Sequence, residues 1–77
     1  MNNSEKSILH YMESLGEETT PTREINEGLM IANIQTTRKY VGNLKKLGFI
    51  EERVVGNYHH LSLTEKGKKW RKKINER

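Results

Sequence analysis

Residues 33–63 read NIQTTRKYVGNLKKLGFIEERVVGNYHHLSL, and a change of period inside this stretch decides the fold. Up to Leu47, the residues Ile34, Thr37, Val41, Leu44 and Leu47 follow at steps of 3, 4, 3 and 3. That spacing draws one stripe along a helix of 3.6 residues per turn. Asn33 is a good N-cap, because its side-chain oxygen can accept a free amide of the first turn, and Gly48 is placed to end the helix. Beyond it, residues 49–55 are rich in β-branched side chains, Gly56-Asn57 is a two-residue turn and residues 58–63 return as a second strand. The stretch therefore predicts a helix over 33–47 followed by a hairpin with strands 49–55 and 58–63.

The turn implies a register. Pairing Val55 with Tyr58 sets Val54 opposite His59, Glu52 opposite Leu61 and Ile50 opposite Leu63. Side chains alternate between faces, so Ile50, Val54, Leu61 and Leu63 collect on one side and Glu51, Arg53, His60 and Ser62 on the other. Four apolar residues on one face predict a hairpin buried on that side.

Working outward, Ile8, Met12 and Leu15 give a helical stripe over 4–15, with Asn2, Asn3 or Ser4 as cap and Gly16 as a left-handed stop. Thr20-Pro21-Thr22 reads as a helix start, since proline is tolerated in a first turn. Ile25 and Leu29, with Met30, make a short second helix over 21–30. An extended piece near residues 18–20 can add a third strand. Thr64 caps a last helix over 65–76, in which Trp70 and Ile74 are spaced to share a face. The expectation is one α+β domain spanning 1–77: three helices, a two- or three-stranded hairpin sheet and a C-terminal helix.

The chain has 77 residues, 31% of them charged, and no cysteine, which removes disulfides and thiolate metal sites. No apolar run reaches the ~20 residues of a membrane helix, and the polar start is unlike a secretion signal. A soluble cytoplasmic protein is expected. The formal charge of +4 is unevenly spread. Residues 1–32 hold Lys6 and Arg23 against six glutamates, whereas residues 33–77 hold twelve basic residues against four glutamates. Such a dipolar chain turns one face toward a polyanion.

Three segments carry a resemblance to a known family. Residues 22–29, TREINEGL, resemble the second helix of a winged helix-turn-helix domain of prokaryotic, archaeal and phage transcription regulators. Residues 33–50 resemble its recognition helix and the Leu-x-x-Leu-Gly approach to the wing. Leu61-Ser62-Leu63-Thr64-Glu65-Lys66-Gly67 is similar to the Leu-Thr-x-x-Gly signature that ends the wing in MarR-type regulators. The resemblance runs from about Ser4 to Ile74 and implies a winged helix-turn-helix fold and binding of double-stranded DNA by a transcriptional regulator, a repressor or accessory factor. It departs from the family at the wing tip, where Val55-Gly56-Asn57-Tyr58 carries no Lys or Arg, and at Gly42, which costs ~1 kcal/mol relative to alanine inside a helix.

With the stripe of the third helix turned inward, its opposite face presents Gln35, Thr36, Arg38, Lys39 and Asn43. These are the candidate base readers: arginine pairs with guanine, glutamine or asparagine with adenine, and threonine with a thymine methyl. Lys45, Lys46 and Tyr40, with Thr22 and Arg23 at the start of the second helix, are candidate phosphate contacts, and Arg53 and Asn57 are the wing candidates. The basic run over 66–73 reads as the wet side of a helix whose Trp70 and Ile74 pack on the first helix or meet a second subunit in a homodimer. No metal site or cofactor is expected, because His59 and His60 are neighbours on a strand and point to opposite faces. No enzyme is expected either, for want of a nucleophile–base pair or a phosphate-cradling loop. The alternative function is a winged-helix interaction module that holds an acidic protein partner.

Overall fold

The computed structural model describes residues 1–75, with side chains as far as Trp70. The chain forms α1 (Asn3–Leu15), β1 (Thr20–Pro21), α2 (Thr22–Gly28), α3 (Ile34–Lys46), β2 (Ile50–Val55), β3 (Tyr58–Leu63) and α4 (Glu65–Asn75). The three strands make one antiparallel sheet in the order β1-β3-β2. The fold is α+β, helices around a small sheet, and is compatible with a winged-helix layout.

The first and third helices begin and end for local reasons. At the start of α1 the Asn2 side chain accepts the Glu5 amide at 2.7 Å, and the Glu5 carboxylate accepts the Asn2 amide at 2.9 Å. This reciprocal capping box satisfies two amides that the first turn leaves free. Gly16 closes the helix in the left-handed conformation at φ 65°. At α3 Asn33 caps as expected, accepting the Gln35 amide at 2.8 Å. Its C-terminal end is a Schellman turn: Gly48 is left-handed, its amide bonds to the Lys45 carbonyl, and the Phe49 amide bonds to that of Leu44.

The second helix departs from expectation at both ends. Pro21 lies outside it, in extended backbone at φ −64° and ψ 143°. There it belongs to β1, pairing with His60 as Thr20 pairs with Leu61, and the lack of an amide is tolerated because β1 is an edge strand. The helix ends at Gly28, and Met30 is left-handed at φ 55° and 89% exposed. Met30 holds the position that Gly48 holds after α3, with its amide bonded to Glu27 and the Ile31 amide bonded to Asn26. Glycine is the usual residue there, yet here it stands two residues earlier, where a β-carbon on Gly28 would overlap the Tyr11 hydroxyl.

The core is Ile8, Leu9 and Met12 of α1, Ile25 of α2, Val41 and Leu44 of α3, Ile50 of β2 and Leu61 of β3. Tyr11, Leu29, Tyr40, Phe49, Leu63 and Trp70 are partly buried around it. Thr37, fully buried, takes its place in the α3 stripe by donating to the Asn26 side chain at 2.6 Å. Leu47 instead lies at the helix end and is 43% exposed. The hairpin register is the one the turn implied, from Ile50 opposite Leu63 to Val55 opposite Tyr58. Only its root is buried, however: Ile50 and Leu61 are covered, while Val54 is 57% exposed. Val55 and Tyr58, which flank the turn, are exposed as well.

The hairpin is bolted to α4 through one small region. The Phe49 carbonyl accepts the Thr64 amide at 3.0 Å, and the Thr64 hydroxyl donates to the Gly48 carbonyl at 2.5 Å. The same hydroxyl caps α4 by accepting the Gly67 amide at 3.1 Å. Lys66 reaches back to the Leu47 carbonyl at 2.7 Å and covers the Phe49 ring. A β-carbon at Gly67 would overlap the Phe49 carbonyl oxygen, whereas one at Gly42 would meet nothing within 4 Å.

Two alanine substitutions are therefore expected to differ in sign. Gly67→Ala should lower unfolding stability by about 2 kcal/mol, as overpacking against backbone does, and Gly42→Ala should raise it by ~1 kcal/mol through helix propensity. Urea denaturation of the two variants beside the parent measures both.

Candidate nucleic-acid interface

The third helix buries Thr37, Val41 and Leu44. The side chains on the far side of that stripe are therefore turned to solvent. Gln35, Arg38, Lys39 and Lys46 are exposed, and no acidic residue occurs in α3. Among the described residues, no carboxylate lies within ion-pairing distance of Arg38, Lys39 or Lys46. The helix thus offers a polar, cationic ridge, with the unsubstituted backbone of Gly42 in its middle.

The remaining candidates are placed differently. Thr36 and Tyr40 are half-buried on a flank of the ridge, Tyr40 against the core. Asn43 is directed at α1, where its side-chain amide donates to the Glu5 carboxylate at 2.8 Å. This bond takes up the group that base reading would use. Lys45 leans the other way, onto the hairpin, and its ammonium pairs with Glu52 at 2.5 Å. Thr22 is only 8% exposed, while Arg23 beside it is open to solvent. Arg53 and Asn57 are exposed on the hairpin, but Arg53 alternates onto the sheet face opposite Ile50 and Leu61, away from α3. Gln35, Arg38, Lys39 and Lys46 are thus brought together, and Asn43 and Arg53 stand apart from them. Of the pair offered for subunit contact, Trp70 packs at the edge of the core, and Ile74 lies outside the described side chains.

Between α3 and the hairpin lies a cleft of about 330 Å³ lined by Thr22, Arg38, Val41, Gly42, Lys45, Glu52 and His59. Glu52 is its centre of charge: one carboxylate oxygen meets Lys45 and the other meets His59 Nδ1 at 2.6 Å. The Lys45 contact first, and His59 second, hold the Glu52 carboxyl below its ordinary range. Glu5 is shifted the same way, chiefly by the Asn2 amide and then by Asn43. At the acidic pole, partial desolvation and then the neighbouring Glu17 push Glu24 upward.

The sequence reading missed Glu5 and Glu52 as partners of α3. Their signals were present: Glu5 stands three residues after a capping asparagine, and the hairpin register puts Glu52 on the inner, apolar face, where a charge needs a partner.

Comparison with known families finds no match. No family model fits the chain, and no curated protein is similar to it in sequence. Among the described residues, no helix is long and apolar enough to cross a membrane.

The Glu5 geometry predicts an acid-sensitive fold. Its carboxyl is depressed in the folded state, so its contribution is complete above the unfolded value near 4.5 and is lost as pH falls through the lower folded value. Glu5→Ala should cost about 2 kcal/mol at neutral pH, from the lost cap and the lost bond to Asn43. It should also flatten the decline of stability below pH 5, read by chemical denaturation across a pH series.

Proposed function

We propose that the chain is a winged helix-turn-helix domain that binds double-stranded DNA as a transcriptional regulator, laying α3 in the major groove. The observation that supports this best is the cationic ridge of α3, Gln35, Arg38, Lys39 and Lys46, exposed and without a carboxylate partner among the described residues, on a helix whose other side is committed to the core. A major groove admits one α-helix, and its base edges offer the acceptors that arginine and glutamine side chains pair with. Arg38 and Gln35, near the helix N-terminus, are the base readers in this reading. Lys39, Lys46 and Arg23 serve the phosphates, which supply affinity and position. Thr36 contributes from the flank, and Asn57 meets the backbone from the hairpin tip.

Lys39 thus moves from base reader to phosphate contact in this proposal, and two further candidates take other roles. Asn43 sets the rotation of α3 through Glu5 and does not read bases. Arg53, on the outer sheet face, contacts DNA only where the duplex bends around the hairpin.

Binding to a random-sequence 20-base-pair duplex, followed by fluorescence anisotropy over 50–200 mM salt, tests the reading. Affinity should fall steeply with salt, with log K linear in log[salt] at a slope near −0.9 for each phosphate neutralised. Arg38→Ala and Lys39→Ala should each weaken binding severalfold, and Lys39→Ala should reduce the slope by ~0.9. Binding indifferent to salt, or unchanged in the double variant, would reject it. Amide shifts confined to α4 on adding duplex would favour the module for an acidic protein partner instead.

A further inference from the structure

One cation of α3 is not available in the way its neighbours are. Lys45 faces the cleft with its ammonium on Glu52, and Glu52 is gripped from its other oxygen by His59. The Glu52 side chain is only 20% exposed, at the junction of the helix and the hairpin. Arg38 and Gly42 line the same cleft. A carboxylate that offers two oxygens to a lysine and a histidine presents the same face as a phosphate with two non-bridging oxygens. It stands beside the ridge of α3, in the cleft that Arg38 and Gly42 also line.

We propose that Glu52 is an intrachain competitor of DNA phosphate for Lys45, holding that lysine out of backbone contact and lowering affinity for DNA of arbitrary sequence. The inference rests on the DNA reading above and adds to it a residue that sets affinity for DNA of any sequence. Phosphate contacts are blind to sequence and carry non-specific binding. Withdrawing one of them weakens every sequence alike, while the base contacts of Gln35 and Arg38 keep their discrimination. Glu51 supplies the internal comparison: it has the same charge and is next in sequence, but it is exposed on the opposite sheet face with Ser62 as its cross-strand neighbour.

The experiment compares salt slopes for a random-sequence duplex in the parent, Glu52→Gln and Glu51→Gln, which have equal net charge once mutated. A second variant, Glu52→Thr, keeps strand propensity and guards against a folding artefact, and circular dichroism checks the fold of each. Glu52→Gln and Glu52→Thr should steepen the slope by ~0.9, which widens the ratio of affinities between 50 and 200 mM salt by about 3.5-fold. Glu51→Gln should leave the slope unchanged. Adding Lys45→Met should abolish the gain from Glu52→Gln, because no lysine remains to be released. A slope no steeper in the Glu52 variants than in Glu51→Gln, or a gain that persists without Lys45, overturns the inference while salt-sensitive binding by the parent upholds the DNA reading. Absence of binding by the parent overturns both.

Discussion

The carbonyl oxygen of Phe49 is the point on which the C-terminal half of this chain turns. It accepts the Thr64 amide and lies where a β-carbon on residue 67 would have to be. Phe49 itself follows the left-handed Gly48 that ends α3, so one short stretch of backbone receives the helix before it, the hairpin that grows from it and the helix after it. Thr64 fastens the three together, because its hydroxyl both donates to Gly48 and accepts from Gly67. Displacing α4 at this junction would release the root of β3. With it would go the angle at which the hairpin stands beside the ridge of α3. The position of the cleft thus depends on a glycine that never touches it.

Much of this was legible because local chemistry and tertiary structure agree. The Gly56-Asn57 turn and the alternation around it lead to the register that the sheet adopts, and Asn33 and Gly48 bound a helix that the stripe already marked. Disagreement arises where a residue answers to a distant neighbour. Gly28 is small because Tyr11 needs the space, so the left-handed position passes to Met30, and no propensity scale anticipates that exchange. Pro21 joins β1 because β3 offers it an edge through His60, far along the chain. Val54 shows the converse limit: alternation reveals which face a side chain takes but not how far the covering layer extends. For the candidate interface, helical periodicity found the exposed ridge. It gave no sign of the two carboxylates that claim its flanks.

Those carboxylates give α3 an unusual mounting. Its buried stripe fixes depth, but a stripe of Thr37, Val41 and Leu44 is narrow and would tolerate some roll about the helix axis. Glu5 on one flank, through Asn43, and Glu52 on the other, through Lys45, oppose such roll from two different elements. The bond from Thr37 to Asn26 ties the base of the helix to α2. A helix held at its base and both flanks presents its outer side chains at a set azimuth, which any rigid partner shaped to receive them would require. The acidic residues of the first half therefore do more than separate charge along the chain. One of them is part of the mounting.

The sheet order leaves β2 at an open edge, and this has a bearing on solubility. An edge strand exposes unpaired backbone groups that invite another chain to add on, and proteins limit this with short strands and charges. Here β2 spans six residues, and the three after its buried first residue are Glu51, Glu52 and Arg53. The charges guard the root, leaving Val54 and Val55 as the uncharged end, with Tyr58 exposed across the turn. Any strand-to-strand association between copies would begin at this tip. It would have only two residues to propagate along before meeting the charged segment, too short a run to template an extended sheet.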